Sequence, residues 1–456
     1  MKAVGTRVPR PNAAAHVTGQ LRFVDDVQVP NMLMAKAFRS PHHHARIVNL
    51  DTSKAEAVPG VRGVVTHADI PHLVLGHLEG AGIPADEPLL AKGEVRYKGQ
   101  PIALVVAEDL DAARAGVEAI KADFEELPAL FDIRLAFDQE APTVHHWGNW
   151  YPHFEGENDK RMIRKGNIEA AFEQADRIIQ GTYRGGGIEQ MPMEPHVSVA
   201  IPEADGRLTV HSVTQAMYFS LGVIAGHLQV PLNRIQLIGG TVGGGFGSKV
   251  DTPTDTITAV AALKCGRPVK WRWTREEEFL VSSQRGCWHM EIIDAVSKDG
   301  WILGRKMLSL HDAGAYARFS PYGLTKHSFH HTGAYSIPNL HFDGYVVFTN
   351  RTPTSAMRGY GVTLLSYATE THLSRIAQEI GVDEYEMRLK NANRKGDTSP
   401  NRIAYYDPST VSVVKALAMG ADHELAPEYA AATGSDRTGD WLPDHLIGQL
   451  GTPEAH

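Results

Sequence analysis

The amino-acid sequence predicts a mixed α/β protein of the α+β class, built from roughly two to three domains. Its 456 residues exceed the usual length of one domain. Short apolar runs with strand character alternate along the chain with longer segments whose apolar residues recur at helical spacing. A glycine-rich segment, Gly239–Lys249, joins one predicted strand to one predicted helix. These three observations indicate domains in which helices pack on sheets.

The composition is that of an ordinary globular protein, with 43% hydrophobic and 21% charged residues. The formal net charge of -8 argues against a nucleic-acid surface. No run approaches the ~20 apolar residues of a membrane span, and Met1 to Val17 contain no apolar core of a signal peptide. We therefore expect a cytoplasmic protein with no membrane span and no nucleic-acid partner.

The two cysteines, Cys265 and Cys287, restrict the metal chemistry of the chain. Neither belongs to a Cys-x-x-Cys pair, the arrangement typical of iron–sulfur clusters and cysteine-rich zinc sites. The sequence therefore excludes an iron–sulfur cluster held by this chain alone.

The first predicted domain covers residues 1–130. A helix is predicted over Asp111–Phe124, because its apolar residues fall roughly on one helical face. Residues 131–164 mix Pro, His, Trp, Asn and Gly without periodicity, which predicts a linker. Strands of the first domain are predicted at Leu21–Val24, Met34–Phe38, Val64–Thr66 and Ile102–Ala107.

The second predicted domain covers residues 165–395 and again mixes both element types. Its helices are predicted at Ile168–Ala175, Tyr218–Leu228, Pro253–Lys264 and Thr363–Glu379. Its strands are predicted at Val197–Ile201, Leu208–Val213, Arg234–Ile238, Val269–Trp273, Met290–Val296, Met307–Asp312 and Tyr345–Phe348. The tail, residues 396–456, shows little periodicity beyond Val411–Met419, and we expect it to contact a partner.

The most informative segment is Gly239–Lys249, in which six of eleven residues are glycine. A strand is predicted before it, and Pro253 suits the first turn of the helix after it. Glycine-rich turns in this context bring backbone N–H groups close to an anionic ligand, so we expect a phosphate-bearing or oxo-anion cofactor. A Walker loop is excluded because Val250 follows Lys249, whereas a purely structural turn stays open.

Six segments resemble, in the same order, motifs of the large subunit of the molybdenum hydroxylases, the xanthine dehydrogenase and aldehyde oxidase family. Any one match is weak, but six in order are a strong signal. The segments are Val17–Gly19 with Phe23–Asp26, Phe38–Ile47, Val95–Ala103, Pro192–His196, Gly243–Lys249 and Ala356–Gly361.

The resemblance implies that residues 1–130 form a hammerhead-like domain and residues 165–395 form the first of two molybdenum-cofactor domains. Phe246 would wall the substrate channel, with its ring near the oxygen ligands of the metal. A glutamine is expected to contact an oxo ligand, and Gln190 and Gln215 are both candidates. The implied cofactor-binding residues are Gln215, Gly243, Gly244, Gly245, Phe246, Gly247, Arg358, Gly359, Tyr360 and Gly361.

The same resemblance places Lys326 and His330 in a segment that lines the substrate funnel. Lys326 lies near the position of a substrate-orienting arginine, so Lys326 and Phe246 are our candidates for a role in catalysis. A solvated loop is the alternative for this segment. Arg358 is either a cofactor contact or a surface ion-pair partner, and its position in the matching loop favours the cofactor.

Other polar clusters are expected to have structural roles. His42, His43 and His44 are adjacent and cannot readily share one metal ion. Glu194 belongs to a motif that marks the fold. Glu276–Glu278 are expected to form a solvated helix start after Thr274.

The chain departs from a full-length family subunit in three ways. The family carries a second cofactor domain, whose Gly-x-Gly-Glu segment holds the general base, and nothing after Asp397 resembles it. The resemblance is thus to the N-terminal half of a split subunit of the nicotinate dehydrogenase type, with the base expected on a partner chain. Val250 replaces the glutamate of xanthine-oxidising members, which disfavours a purine. The Ala356–Gly361 loop lacks the thiol that CO oxidation needs.

The resemblance implies a cofactor-binding subunit of a multi-subunit hydroxylase that adds water-derived oxygen to an electron-poor carbon of a nicotinate-like N-heteroaromatic. The implied cofactor is molybdopterin with molybdenum, its cytosine dinucleotide form being one candidate. The implied partners are a second molybdopterin-domain subunit with the catalytic glutamate, a 2Fe–2S iron–sulfur subunit and a flavin (FAD) subunit. An aldehyde- or purine-oxidising member and a non-catalytic scaffold or assembly chain are the alternatives.

Overall fold

The computed structural model describes residues 4–74, 86–152 and 159–434, which form two compact units. The first unit consists of Met1–Pro128 and Glu189–Ser283, and the second of Ala129–Ile188 and Gln284–His456. Both units contain strands and helices, which confirms the predicted mixed class. No helix in the described part of the chain is long and apolar enough to cross a membrane.

The strands are numbered in chain order. They are β1 (Leu33–Arg39), β2 (Ala45–Asp51), β3 (Val61–Thr66), β4 (Glu94–Val95), β5 (Pro101–Ala107), β6 (Lys121–Glu126), β7 (Arg161–Lys165), β8 (Arg177–Gly185), β9 (Val197–Pro202), β10 (Leu208–Ser212), β11 (Ile235–Gly239), β12 (Val269–Arg272), β13 (Trp288–Val296), β14 (Ile302–Gly314) and β15 (Asn339–Phe348).

The α-helices are numbered in the same way. They are α1 (Ala13–Val17), α2 (Ser53–Glu56), α3 (Leu110–Ala119), α4 (Ile168–Glu173), α5 (Met217–Leu228), α6 (Pro253–Cys265), α7 (Arg275–Val281), α8 (Ser320–His330), α9 (Thr363–Ile380), α10 (Glu384–Asn391), α11 (Thr410–Gly420) and α12 (Pro427–Ala431).

The first unit contains a seven-stranded sheet in the order β11-β10-β9-β12-β1-β5-β3 and a three-stranded sheet in the order β4-β2-β6. In the larger sheet, β1 pairs with β12 and β10 pairs with β11 in parallel. Helix α6 packs on β9 and β12, and its residues from Thr254 to Ala262 are all buried. Threonine and alanine dominate this stretch, and their small side chains allow a close approach to the sheet.

The second unit is built on a five-stranded sheet in the order β7-β15-β14-β13-β8. Helix α9 packs on β8 and β13 and contributes Leu373 and Ile376 to a core that also contains Ile302 and Leu340. Gly381, with φ +73°, ends α9 in the left-handed region that favours glycine, as the sequence predicts.

Two predicted elements in the first domain are wrong. The predicted strand Leu21–Val24 is replaced by a 3-10 turn over Val24–Asp26, because the carboxylate of Asp26 accepts a hydrogen bond from the N–H of Phe23. The predicted helix Asp111–Phe124 ends at Ala119, and β6 follows it. The burial of β6 alternates, which is the two-residue period of a strand, and Phe124 pairs with Ile47.

The predicted linker and tail contain regular structure. Strand β7 begins at Arg161, within the predicted linker, and pairs with β15. In the tail, α11 covers the periodic stretch Val411–Met419, and Val411 and Val414 pack against Leu389 of α10. The last part of the predicted tail, residues 435–456, lies outside the described residues.

Buried histidines in the second unit lead to a prediction about acid stability. Trp288 stacks between His311 and His327, at ring centroid distances of 4.1 and 4.2 Å. Burial lowers the pKa of His311, His327 and His331 to about 3. Unfolded histidines titrate near pH ~6.5, so below that pH the unfolded chain binds more protons than the folded chain. Stability is therefore lost as the pH falls from about 6.5 towards 3.

We expect His331→Asn to reduce this acid sensitivity by about 2 kcal/mol between pH 7 and 5, the linkage value for one histidine held neutral. The imidazole Nδ1 of His331 is 2.6 Å from the carbonyl oxygen of Ser328, which an asparagine amide can also reach. Denaturant unfolding at both pH values measures the difference. The exposed His330 supplies the control, His330→Asn, and equal pH slopes in both variants and wild type would contradict the prediction.

Candidate functional site

The segment Gly243–Lys249, here called the glycine loop, lies in the first unit between β11 and α6, which confirms its predicted strand–loop–helix context. Gly244 and Gly247 have φ values of +98° and +111°. Phe246 has φ +54°, although it carries a bulky side chain, and 49% of its surface is exposed. A bulky residue in the left-handed region is uncommon and typical of functional sites.

The backbone N–H groups of Gly243–Gly247, the glycine-rich part of the loop, fall into two sets. Gly243 N–H donates to Glu194 Oε2 at 2.8 Å, and Gly247 N–H donates to Gln215 Oε1 at 3.0 Å. The N–H groups of Gly244, Gly245 and Phe246 donate to no residue within 4–74, 86–152 or 159–434. Gly245 is nevertheless buried. Gly244 is half-buried and Phe246 is exposed. A buried N–H group without an acceptor is costly and rare, and three consecutive donors of this kind suit an oxygen-rich ligand.

Two of the glycines also make room for the protein's own side chains. A Cβ on Gly243 would lie 2.6 Å from Glu194 Cβ, and one on Gly245 would overlap Gln215 Oε1 and lie 2.8 Å from Gln215 Cδ. Close packing against Glu194 and Gln215 therefore accounts for part of the glycine content of the loop. The three N–H donors, rather than the glycine content, distinguish a ligand site from a structural turn.

Of the two candidate glutamines, Gln215 contacts the glycine loop. The side-chain Oε1 of Gln215 accepts a hydrogen bond from Gly247 N–H. The backbone N–H of Gln215 donates to the carbonyl oxygen of Lys249 at 2.8 Å. The segment between β10 and α5 places it there. Gln190 is 7% exposed and belongs to the same unit. The contact with the loop favours Gln215 as the side chain that faces a ligand.

Acidic residues of the first unit differ in part from expectation. Thr274 caps α7 as predicted, but Glu277 and Glu278 are buried rather than solvated. Glu277 pairs with Lys36 at 3.0 Å and Arg39 at 3.1 Å, and Glu278 pairs with His196 at 2.8 Å. These basic partners, which are distant in sequence, explain why the carboxylates leave the solvent.

His44, the last residue of the triplet His42–His44, is held by hydrogen bonds within the protein. His44 Nδ1 lies 2.6 Å from the carbonyl oxygen of Pro128, and His44 Nε2 lies 2.9 Å from Glu94 Oε1. Within the described ranges, no group of three or more His, Cys, Asp or Glu side chains is arranged to hold a metal ion.

The predicted Arg358–Gly361 segment lies in the second unit. Gly359 and Gly361 have φ values of +80° and +73°, and a Cβ on Gly361 would overlap the carbonyl oxygen of Gly323. His327 Nδ1 lies 2.9 Å from Gly361 O, and Arg285 donates to Arg358 O at 2.7 Å. The exposed guanidinium of Arg358 forms no ion pair with any residue that the structure describes.

A small cleft borders this segment, and sequence reasoning missed several of its residues. It is lined by Arg285, Gly286, Trp288, His311 and residues 359–364. Burial lowers the pKa of Arg285. Trp288 and His311 lie on neighbouring strands, β13 and β14, and pair across them. The alternation of side chains along these strands predicts which residues share a face of the sheet. The cleft at the end of the strands is formed together with loops that are distant in sequence, so the sequence pattern does not reveal it.

Lys326 and His330 lie on α8 and not on a loop, and His330 is exposed to solvent. Pro321 in the first turn starts this helix. Lys326 Nζ lies 5.1 Å from the ring centroid of Tyr322. His330 Nδ1 is 2.7 Å from the carbonyl oxygen of Lys326, within the helix. The structure thus gives His330 a local bond and leaves the role of Lys326 a prediction.

Comparison with known proteins agrees with this architecture. The family model for the molybdopterin cofactor-binding domain matches residues 153–392. The model for the α/β hammerhead domain of aldehyde oxidase and xanthine dehydrogenase matches residues 18–128. The chain therefore belongs to the xanthine dehydrogenase and aldehyde oxidase family of molybdenum-dependent oxidoreductases, and the resemblance of its motifs is confirmed.

Individual relatives differ in how much of their length the chain covers. The nicotinate dehydrogenase large molybdopterin subunit of Eubacterium barkeri is 33% identical, with 87% of this chain and 90% of that protein aligned. The xanthine dehydrogenase molybdenum-binding subunit of Escherichia coli is 31% identical over 86% of this chain but 52% of its own length. The aldehyde oxidoreductase structure from Desulfovibrio gigas has a TM-score of 0.86 at 31% identity, over 91% of this chain and 46% of that one. The chain thus spans about half of the latter two.

Proposed function

We propose that this chain is the molybdopterin-binding subunit of a multi-subunit hydroxylase. The observation that carries the proposal is the set of three N–H groups, on Gly244, Gly245 and Phe246, that lack an acceptor in the described protein. Molybdopterin carries phosphate oxygens and the metal carries oxygen ligands, both of which accept hydrogen bonds. When bound, the cofactor supplies an electron sink and activates a water-derived oxygen.

The residues of this chain would hold and orient that group. Gly244, Gly245 and Phe246 offer backbone donors, and Gln215 lies beside them through its bond to Gly247 N–H. The family resemblance adds Arg358, Gly359, Tyr360 and Gly361 of the second unit as cofactor contacts. The guanidinium of Arg358 is exposed and has no ion-pair partner among the residues that the structure describes, so it is suited to an anionic group. The cytosine dinucleotide form of the cofactor and a substrate-orienting role for Lys326 are parts of the same proposal.

A nicotinate-like N-heteroaromatic is the proposed substrate. The relative named as a nicotinate dehydrogenase subunit is covered over 90% of its length. Phe246 belongs to the donor-bearing loop and is half-exposed, so its ring is accessible to an aromatic substrate. An aldehyde is the second candidate, because the matching structure with a TM-score of 0.86 is an aldehyde oxidoreductase.

The proposal includes partner chains. A second molybdopterin-domain subunit would supply the general base, because the resemblance is to a split subunit of the nicotinate dehydrogenase type and the relative of that name is 33% identical over 90% of its length. Iron–sulfur and flavin subunits would carry electrons away, because the two cysteines of this chain are too few for a cluster. The complex would be cytoplasmic.

Exposed apolar side chains around the glycine loop support such a partner. Met193 and Tyr218 are 93% and 91% exposed, and the neighbouring Met191, Phe219 and Met217 are also exposed. Their closeness to the loop follows from contacts. A Cβ on Gly244 would lie 3.5 Å from Pro192 Cβ, and Pro192 stands between Met191 and Met193 in the sequence. Gln215, which accepts from Gly247 N–H of the loop, comes two residues before Met217. Clustered apolar exposure of this kind marks an interaction surface.

Metal content and turnover of the purified complex test the proposal. We expect molybdenum and pterin to copurify with the chain, and nicotinate to be oxidised faster than a small aldehyde or xanthine. A complex that contains neither molybdenum nor pterin would favour the scaffold alternative. A complex that carries both but prefers an aldehyde would keep the cofactor assignment and reject the heteroaromatic substrate.

Phe246→Ala is expected to raise the KM for an aromatic substrate by up to about tenfold, because ring–ring contacts contribute ~0.5–1.5 kcal/mol beyond burial. A small aliphatic aldehyde should be much less affected. The matched control is Phe279→Ala, since Phe279 is 46% exposed in the same unit but belongs to α7. Steady-state kinetics with both substrates measure the effect. An equal change for both would make Phe246 a packing residue.

A further inference from the structure

A single carboxylate joins the two ends of the glycine loop. Glu194 Oε2 accepts a hydrogen bond from Gly243 N–H at 2.8 Å and lies 2.7 Å from Lys249 Nζ. Gly243 is the first residue of the loop and Lys249 is the last. Glu194 N–H also donates to Gly243 O at 3.2 Å. The three donors of Gly244, Gly245 and Phe246 lie between the two residues that this carboxylate binds.

The ion pair is withdrawn from solvent. The side chain of Lys249 is 0% exposed and that of Glu194 is 10% exposed. Burial lowers the pKa of Lys249, and the attraction of Glu194 opposes that shift. A buried charge without its partner is strongly unfavourable, so each group confines the other to one position. The pair therefore fixes the distance between the loop ends.

A second connection ties the same lysine to the ligand-facing side chain. The carbonyl oxygen of Lys249 accepts from Gln215 N–H, and Gln215 Oε1 accepts from Gly247 N–H. Movement of Lys249 would therefore also displace Gln215. Glu278 adds negative charge near Lys249, but both of its oxygens bind His196. Glu194 is thus the direct partner of Lys249.

We propose that Glu194 and Lys249 are positioning residues, a buried clasp that holds the glycine loop in the shape that presents its three N–H donors to an oxygen-rich cofactor. The proposal rests on the proposed function for the identity of the ligand, but the clasp itself is a property of this chain. It assigns Glu194 a role beyond the structural one expected from its motif.

Hydrogen exchange in the full, cofactor-free chain tests the clasp. Lys249→Met removes the ammonium, and Glu194→Gln keeps an acceptor for Gly243 N–H but removes the charge. We expect the bonded amides of Gly243, Ser248 and Val250 to exchange at least about tenfold faster in both variants. The control is Glu277→Gln, since Glu277 is 9% exposed and has two basic partners away from the loop. It should leave those amides unchanged.

The double variant Glu194→Gln with Lys249→Met separates positioning from general stability. It leaves no unpaired charge, so global stability should recover towards wild type. The loop amides should still exchange fast, because the clasp is missing. Recovery of loop protection together with stability would overturn the proposal. So would a loss of protection in Glu277→Gln equal to that in the clasp variants.

Cofactor content provides a second measurement in the coexpressed complex. Both clasp variants should lose molybdenum, while Glu277→Gln keeps its metal. If the clasp variants exchange faster but the wild-type complex contains no molybdenum, the clasp is supported and the proposed function is rejected. Normal metal content with unchanged exchange would reject the clasp and leave the function standing.

Discussion

Gly245→Val is expected to remove most of the molybdenum from the complex while the chain stays folded. A Cβ at this position would overlap the amide end of Gln215, which is flexible and can swing away. Gln215 would then lose its bond to Gly247 N–H. Loss of one hydrogen bond from the displaced Gln215 or from the loop N–H groups to the anionic cofactor would cost about 1.5–3 kcal/mol, which corresponds to roughly 10–100-fold weaker binding. The added methyl groups would also crowd the three donors.

Molybdenum per chain measures the loss of cofactor, and thermal unfolding measures whether the chain stays folded. The control is Gly222→Val, because Gly222 lies on α5 of the same unit and a Cβ there meets open space. Gly244→Val should act differently, through strain at φ +98°, with about 1–3 kcal/mol lost from stability. A Gly245→Val complex with full metal and full turnover would contradict the loop assignment.

The second large effect concerns the general base, which we expect on the partner chain. Changing the glutamate of the partner's Gly-x-Gly-Glu segment to glutamine should lower kcat by about 10²–10⁴-fold. Glu189→Gln in this chain should retain most of kcat. Glu189 and Glu194 are the two carboxylates of this chain that we consider as a base. Glu189 is the stronger candidate, because burial raises its pKa and Glu194 is bound in the ion pair.

Turnover per bound molybdenum in the reconstituted complex decides which of the two chains carries the general base. Glu189 Oε2 accepts from Met191 N–H, and glutamine can keep that bond, so the fold should survive the change. A collapse of kcat confined to Glu189→Gln, with metal retained, would place the base on this chain.

The sequence predicts the fold well where periodicity is strong and local. The strand–glycine–helix order around the loop, the end of α9 at Gly381 and the helix cap at Thr274 all follow from short-range patterns. Prediction from the sequence fails where a segment with helical periodicity is followed directly by one with strand periodicity. The helix predicted to Phe124 ends five residues early, because a strand begins at Lys121 and only its pairing with β2 reveals it.

The site is predicted less completely than the fold. Glycine content identifies the loop, but the sequence does not show which N–H groups keep an acceptor inside the protein. Glu194 and Lys249 are 55 residues apart along the chain and meet only in the folded unit. The burial of Glu277 and Glu278 has the same origin, since their partners Arg39 and His196 are distant in sequence. Local rules cannot find such pairs.

Molybdenum per chain, measured by plasma mass spectrometry on the wild-type protein with and without its proposed second-half chain, tests the cofactor assignment most directly. We expect near-stoichiometric metal in the copurified complex and only background metal in the chain expressed alone, because part of the cofactor's binding surface would be missing. Full occupancy in the chain alone would contradict the division of the site between two chains. Absence of molybdenum from the purified complex would contradict the cofactor assignment itself.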